Sequence, residues 1–274
     1  VEEGVPSQTA LATARARADH QVLDRAAILD DPFVERLIRG VQQSVFASDR
    51  PRRLFFAARA RFAEDCVATA HDAGVRQVVI LGAGLDTFGF RHSHRGLQTF
   101  EVDHPATQAW KRGRLMDAGI DVPAAVTFVP VDFETDSLTR ALEHNGFRST
   151  EPAVFVWLGV VFYLTPDAAL STLEYVAGQP HPTEVVFDYL QPAHTDESRE
   201  HLQARADRLA AAGEAWHTYF TPDDLARQLR VLGFTHIEDR SAAELVDSYS
   251  GELTRFVNDI PDQLRASRIV RAQL

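Results

Sequence analysis

QVVILGAGLDTFGFRHSHRGLQTFEVD, residues 77–103, places two apolar runs on either side of a glycine turn. Gln77–Leu81 is β-branched and apolar and predicts a buried strand. Gly82–Thr87 predicts a tight turn into the start of a helix, and Leu97–Val102 a second strand that ends in the acidic Asp103. Glycine at 82 and 84 permits dihedrals and a close backbone approach that a side chain forbids, so a ligand can lie against the chain where the first strand ends. Asp103 stands nineteen residues beyond Gly84, at the end of the second strand, where a carboxylate can accept hydrogen bonds from both hydroxyls of a ribose. That spacing implies an adenosine-type ligand. A dinucleotide site would carry a third glycine at 87, where Thr87 stands, and Asp86 puts a negative charge where a pyrophosphate would sit. Both argue against NAD and for a ligand without phosphates, a cationic one above all.

At 274 residues the chain is long enough to bury a substantial core, and its 45% hydrophobic fraction is that of a folded, soluble protein. A formal net charge of −11 argues against nucleic acid as a partner, because phosphate binding needs clustered cations. Cys66 is the only cysteine, which excludes an internal disulfide and a cysteine-based zinc site and predicts a reducing compartment. The longest apolar run, Ala153–Leu164, has twelve residues. A membrane helix needs roughly 20. With no signal-peptide pattern at the start, the expectation is a cytoplasmic chain with no membrane partner.

Alternating strand and helix patterns predict an α/β fold: a Rossmann-like, mainly parallel seven-stranded sheet with helices on both faces, and an N-terminal helical lid. No linker divides the chain, so one domain is expected over 1–274, with the lid over 1–73, the sheet over 74–274 and a helical insertion near 191–220. Val1–Ser7 shows no periodicity and predicts a frayed end. A helix is expected over Thr9–Leu29, broken by Asp30-Asp31-Pro32, which can cap another starting near Phe33. Pro51–Ala73 predicts the last helix before the first strand; Cys66 falls on its apolar face and reads as packing. Arg59 and Arg61 lie two apart on that helix and cannot share a face, so one can reach a site while the other meets solvent. Pro105 opens a helix running to about Ala118. Further strands are expected over Val126–Val131, Ala153–Leu158, Thr183–Tyr189, Phe234–Asp239 and Ser267–Leu274. Thr165-Pro166 and Thr221-Pro222 read as helix starts, with Gly233 a stop. At the end of the third strand, Asp132 with the following Phe133 can hold an adenine amino group and cover its ring; equally, Asp132, Glu134 or Asp136 can cap the helix near Leu138–Asn145.

LGAGLDTFGFR over 81–91 and FEVDHPATQAWK over 100–111 resemble the class I S-adenosylmethionine-dependent methyltransferases, and among them the leucine carboxyl methyltransferase and polyketide carboxyl O-methyltransferase family. The resemblance continues through Arg59-Ala-Arg61-Phe, Val131-Asp132-Phe133 and Trp157-Leu-Gly-Val-Val-Phe-Tyr163-Leu, in matching order over most of the chain. It implies S-adenosylmethionine as cofactor, bound by Arg59, Gly82, Ala83, Gly84, Asp86, Asp103, Asp132, Phe133 and Trp157, with Arg59 on the methionine carboxylate. The resemblance departs at Leu158, where the protein-methylating branch has a glutamate. That loss disfavours a protein acceptor and favours a small natural product.

The expected reaction is methyl transfer to an oxygen of a small molecule, most simply a carboxylate, which is already ionised at neutral pH and needs no base. Arg17 and Tyr163 are the candidate catalytic groups that orient it, with Arg59 a second arginine able to do so. A phenol would instead profit from a base such as His104, His217 or Tyr219. Other chemistries fit less well. His92-x-His94 lies in a loop without zinc-type spacing, so no metal is expected. A nucleophile elbow and a P-loop are absent. Arginines 50, 52 and 53 read as a solvated face. The alternatives are an NAD(P)-dependent oxidoreductase and a non-catalytic S-adenosylmethionine-binding module; a homodimer is left open.

Overall fold

The structure, a computed structural model, describes residues 7–41, 49–133, 135–251 and 255–274. Three helices precede the sheet: α1 (Gln8–Leu23), α2 (Val34–Leu37) and α3 (Arg50–Asp72). There follow β1 (Gln77–Leu81), α4 (Phe88–Arg91), β2 (Gln98–Asp103), α5 (Pro105–Asp117), β3 (Val126–Pro130), α6 (Leu138–His144) and β4 (Val154–Trp157). A 3-10 turn over Val161–Tyr163 leads to α7 (Pro166–Ala177), β5 (Glu184–Leu190), α8 (Asp196–Ala211), α9 (Pro222–Val231), β6 (His236–Ser241), α10 (Ala242–Ser250), α11 (Asp262–Arg265) and β7 (Ser267–Gln273).

The sheet runs β3-β2-β1-β4-β5-β7-β6. Strands β1 to β5 are parallel, and β7 runs antiparallel to both β5 and β6. This is the α/β, Rossmann-like, mainly parallel seven-stranded sheet expected from the sequence. Strand β1 is buried at every residue, as a central parallel strand covered on both faces must be. Its alternating side chains serve two cores. Val78 and Ile80 pack with Leu54, Phe55 and Cys66 of α3 and Leu245 of α10. Val79 and Leu81 pack with Leu142 of α6, Leu173 of α7 and Leu229 of α9. The sheet order turns about β1, which is flanked by β2 on one side and β4 on the other. A crevice opens at the carboxyl ends there, where ligands of open α/β sheets bind.

The helix expected over Thr9–Leu29 ends at Leu23. Arg25 and Ala26 take left-handed backbone conformations, and the His20 carbonyl accepts from the N–H groups of both Asp24 and Ala26. The His20 ring then receives the N–H groups of Ile28 and Leu29, turning the chain back on the helix. The N-cap of α2 is Phe33, and Asp31, two residues before it, accepts from Val34 N through Oδ1 at 3.1 Å. Ser137, rather than Asp132 or Asp136, caps α6; Glu134, the third candidate cap, and Val1–Pro6 of the expected frayed end lie outside the described residues. Among the described residues no helix is long and apolar enough to cross a membrane.

Candidate active site

A cavity of about 1130 Å3 occupies the crevice, bounded by the carboxyl ends of the strands, by α1 and α3, and by α8 with the segment after it. Gly82 and Gly84 form its floor in left-handed conformations, at φ +64° and +49°. A Cβ on Gly82 would lie 2.4 Å from Val160 Cγ2, so the turn can pass the β4 end only without a side chain. The Gly84 N–H donates to Asp103 Oδ2 at 2.5 Å, and the His104 N–H to Asp103 Oδ1 at 2.7 Å. These bonds fix the carboxylate at the end of β2. Burial raises the Asp103 pKa, and the two amides oppose that rise. Asp86 Oδ1 accepts from Phe88 N at 2.7 Å and so caps the turn into α4. Ala83, Asp86 and Asp132 also line the cavity, as does Phe133, whose ring packs on the core.

Arg59 is 6% exposed and lines the cavity, whereas the Arg61 side chain is exposed and pairs with Asp65. Of the two arginines, Arg59 lines the cavity and Arg61 meets solvent. Arg59 Nη1 donates to Asp188 Oδ2, and its guanidinium lies 4.7 Å from the Phe56 ring. Asp188 Oδ1 accepts from Gly159 N at 2.6 Å. A buried carboxylate on β5 thus aims the arginine and pins the turn after β4. Nothing in the sequence singled out Asp188. Leu158 lines the cavity beside this pair.

Trp157 is fully buried, on the face of β4 opposite Val156, and packs beside Phe187 at 5.8 Å between ring centroids. Its side chain is not part of the cavity wall. Strand alternation is the reason: Val154 and Val156 take the cavity-side core, so Phe155 and Trp157 take the other.

Arg17 lines the cavity with both its contacts engaged: Nη2 donates to the Leu85 carbonyl at 2.6 Å, and Nε lies 3.3 Å from Asp31 Oδ2. It ties α1 to the glycine turn. Ala10 of α1 stands over Gly84, 3.5 Å from where a Cβ would be. Tyr163 also faces the cavity. Burial raises the pKa of its phenol, against the pull of the nearby Thr9 hydroxyl and Trp216 indole. The indole contact is loose, since Nε1 makes no hydrogen bond of good geometry. A phenol whose pKa is raised keeps its proton at neutral pH and so has a hydrogen to donate to a ligand. His104 Nδ1 accepts from Ala106 N, capping α5; His217 lines the cavity, and Tyr219 does not.

The arginines at 50, 52 and 53 part company, correcting their reading as one solvated face. Arg53 is buried, donating to Asp24 at 2.6 and 3.1 Å, and Arg52 lines the cavity. Arg205 and Arg208 of α8 line it as well. Helical spacing alone could not assign these faces, because the elements they meet are distant in sequence. Cys66 is buried in the core and burial pushes its thiol pKa up, as suits packing. His92 stacks on Phe88 at 4.7 Å and on His94 at 5.6 Å. Among the described residues no group of three or more His, Cys, Asp or Glu is placed to hold a metal.

Residues 10–177 match the leucine carboxyl methyltransferase family. The chain belongs to that family. It is 31% identical, over 89% of its length and 91% of the relative's, to the "Putative S-adenosyl-L-methionine-dependent methyltransferase YktD" of Bacillus subtilis (strain 168). A Mycobacterium sp. (strain KMS) protein named with the same activity is 34% identical over 75% of this chain and 74% of its own. Among solved structures, a "putative methyltransferase" from Thermobifida fusca YX superposes with a TM-score of 0.63 at 14% identity, covering 99% of this chain and 96% of that one. Magnesium protoporphyrin IX methyltransferase from Synechocystis PCC 6803, with bound S-adenosylhomocysteine, superposes with a TM-score of 0.50 at 12% identity, covering 96% and 99%. At such identities the likeness speaks for the fold alone.

Family membership makes the chain an S-adenosylmethionine-dependent methyltransferase, and the cavity fits that cofactor. The glycine turn gives close backbone approach, and Asp86, Asp103 and Asp132 place carboxylates rather than phosphate ligands around it. Asp103 would take the ribose and Arg59 the methionine carboxylate. Bound there, the cofactor supplies an electrophilic methyl group on a cationic sulfur.

Proposed function

We propose that this chain is an O-methyltransferase acting on a carboxylate of a small molecule, of the kind found in polyketides and other natural products. The observation that carries the reading is the pair of charge sets lining one cavity: carboxylates at the glycine turn, Asp86 and Asp103, and a group of Arg52, Arg205 and the Tyr163 phenol within electrostatic reach of one another. The first set suits a cationic donor and the second an anionic acceptor. Leu158 adds an apolar side chain to the same lining.

The protein's task in such a reaction is alignment and exclusion of water, because a carboxylate needs no deprotonation. Tyr163 donates a hydrogen bond that orients the acceptor. Arg17 acts as a positioning residue, holding α1 against the turn so that the cavity is covered. Asp188 holds Arg59 in place for the methionine end.

The test is incubation with isotope-labelled S-adenosylmethionine and a panel of aromatic and polyketide acids, followed by mild base. A carboxyl methyl ester releases labelled methanol under base, whereas a phenol methyl ether does not. Label that enters product and resists base would replace the carboxylate by a phenol; label in no product would leave only donor binding.

A further inference from the structure

We infer that Arg52 and Arg205, backed by the Trp216 ring and with Arg208 beside them, clamp the carboxylate of a planar aromatic acceptor and release it once it is neutral. The inference rests on the methyl-transfer reading above and names the residues that choose the acceptor.

The observation is a surplus of cations in an otherwise acidic protein. Arg52 begins α3 with its side chain 19% exposed, and its one ion pair among the described residues is a long one, 3.9 Å from Nε to Asp49 Oδ2. That Nε is buried and makes no hydrogen bond. Arg205 comes from α8 and makes no ion pair among the described residues; its guanidinium lies 4.8 Å from the Trp216 ring centroid. Arg208 repels Arg52 from the next turn of the same helix. The other nearby acid, Glu214, is engaged by the backbone N–H of Thr9 at 3.2 and 3.4 Å. Three guanidiniums therefore gather beside two carboxylates that already have other work, Asp49 capping α3 and Glu214 holding Thr9. Burial, and then the charge of Arg52, push the Arg205 pKa down to about 10. Arg52 and Arg205 are half-buried and Arg208 is exposed; holding partly buried cations side by side is unfavourable until a counter-charge arrives, and a carboxylate matches the planar guanidinium fork.

Phe162 and Tyr163 line the cavity beside the cluster and specify the body of the ligand, with Trp216 packed behind them outside the lining. Trp216 meets Phe162 edge-on at 5.8 Å, and Phe162 meets Tyr163 at 4.7 Å. The segment carrying Trp216 is laced to this turn: His217 N donates to the Phe162 carbonyl at 2.8 Å, and Thr218 Oγ1 to the Leu164 carbonyl at 2.5 Å. A fixed aromatic wall beside a cation cluster suits an aromatic acid.

Methyl transfer makes an O–C bond and breaks an S–C bond. The carboxylate becomes a neutral ester, the sulfonium a neutral thioether, and no proton moves. The clamp therefore loses its counter-charge on turnover, and the same arginines that select substrate reject product.

Calorimetric titration in the presence of S-adenosylhomocysteine tests this with three probes: 1-naphthoate, methyl 1-naphthoate and sodium sulfate. The acid should bind more than about tenfold tighter than its ester, and sulfate more weakly than the acid. The Arg52→Gln/Arg205→Gln variant should bind acid and ester alike, while its S-adenosylhomocysteine affinity, unchanged within about threefold, reports an intact fold. Trp216→Leu should weaken the acid yet keep its advantage over the ester. Equal binding of acid and ester, binding of neither, sulfate as tight as the acid, or a preference that survives the double variant would overturn the clamp. Discrimination without any base-labile ester from the acid panel would instead keep the clamp and overturn carboxyl methylation.

Discussion

Asparagine at position 188 would keep the shape of the side chain and remove its charge. The Arg59 and Asp188 side chains are only 7% and 4% exposed, so Asp188→Asn leaves a guanidinium in the interior with its counter-ion gone. Removing one partner of a buried ion pair costs about 3–5 kcal/mol, much of it the charge left behind. The Gly159 N–H can still donate to the asparagine carbonyl, which keeps the estimate toward the lower end. In a chain of this length each kcal/mol moves the melting temperature by about 2–4 °C, so a fall of about 6–20 °C is expected by calorimetry. Arg59→Met removes the stranded charge. The two changes together should cost less than the sum of the singles, with a coupling of about 1–3 kcal/mol. A fall of less than about 2 °C, or strictly additive effects, would show that solvent or another group already neutralises Arg59 and would refute the argument. S-adenosylhomocysteine titration of Asp188→Asn adds the functional readout: weaker binding, since Arg59 is no longer aimed.

Three other outcomes follow from the geometry. Asp103→Ala strips the acceptor of the Gly84 and His104 N–H groups, and should weaken S-adenosylhomocysteine by about 30-fold or more in a titration. Gly82→Ala must hold a left-handed backbone and push Val160 aside, and should cost about 2–4 kcal/mol in urea unfolding. Burial, and then its histidine neighbours His94 and His71, lower the His92 pKa from 6.5 to about 4. Because the folded value lies below the unfolded one, its neutral ring contributes stability above pH 6.5 that is lost as pH falls towards 4. His92→Phe should unfold with less acid sensitivity in that window.

The glycine turn and Asp103 were legible because their chemistry is local: a strand end, a tight turn and an acid at fixed spacing. The proline-led helices were legible for the same reason, with Thr165 and Thr221 capping them as read. What escaped was tertiary. Helix α10 was missed although Ser241 and Glu244 form a capping box, because β6 ends on that same serine and the strand pattern runs straight into it. Asp188 sits inside an apolar strand, where a single acid reads as an interruption until Arg59 is seen across from it. Trp157 shows the reverse error of emphasis. A motif names a neighbourhood, but strand parity decides which face of the sheet each member occupies.

The placing of β7 between β5 and β6 governs how the protein can be made. Among the described residues β6 pairs with β7 and with no other strand, so it stays outside the sheet until a strand encoded after it has docked. Until then β5, buried along its whole length in the finished fold, is an open apolar edge. During ribosome-paced synthesis that edge waits for residues 267–273, a long-range pairing that is slow to close. The β6–α10–α11–β7 unit is in effect the latch of the sheet. Damage to it would be felt first as aggregation of newly made chains, even though it lies outside the methyl-transfer cavity.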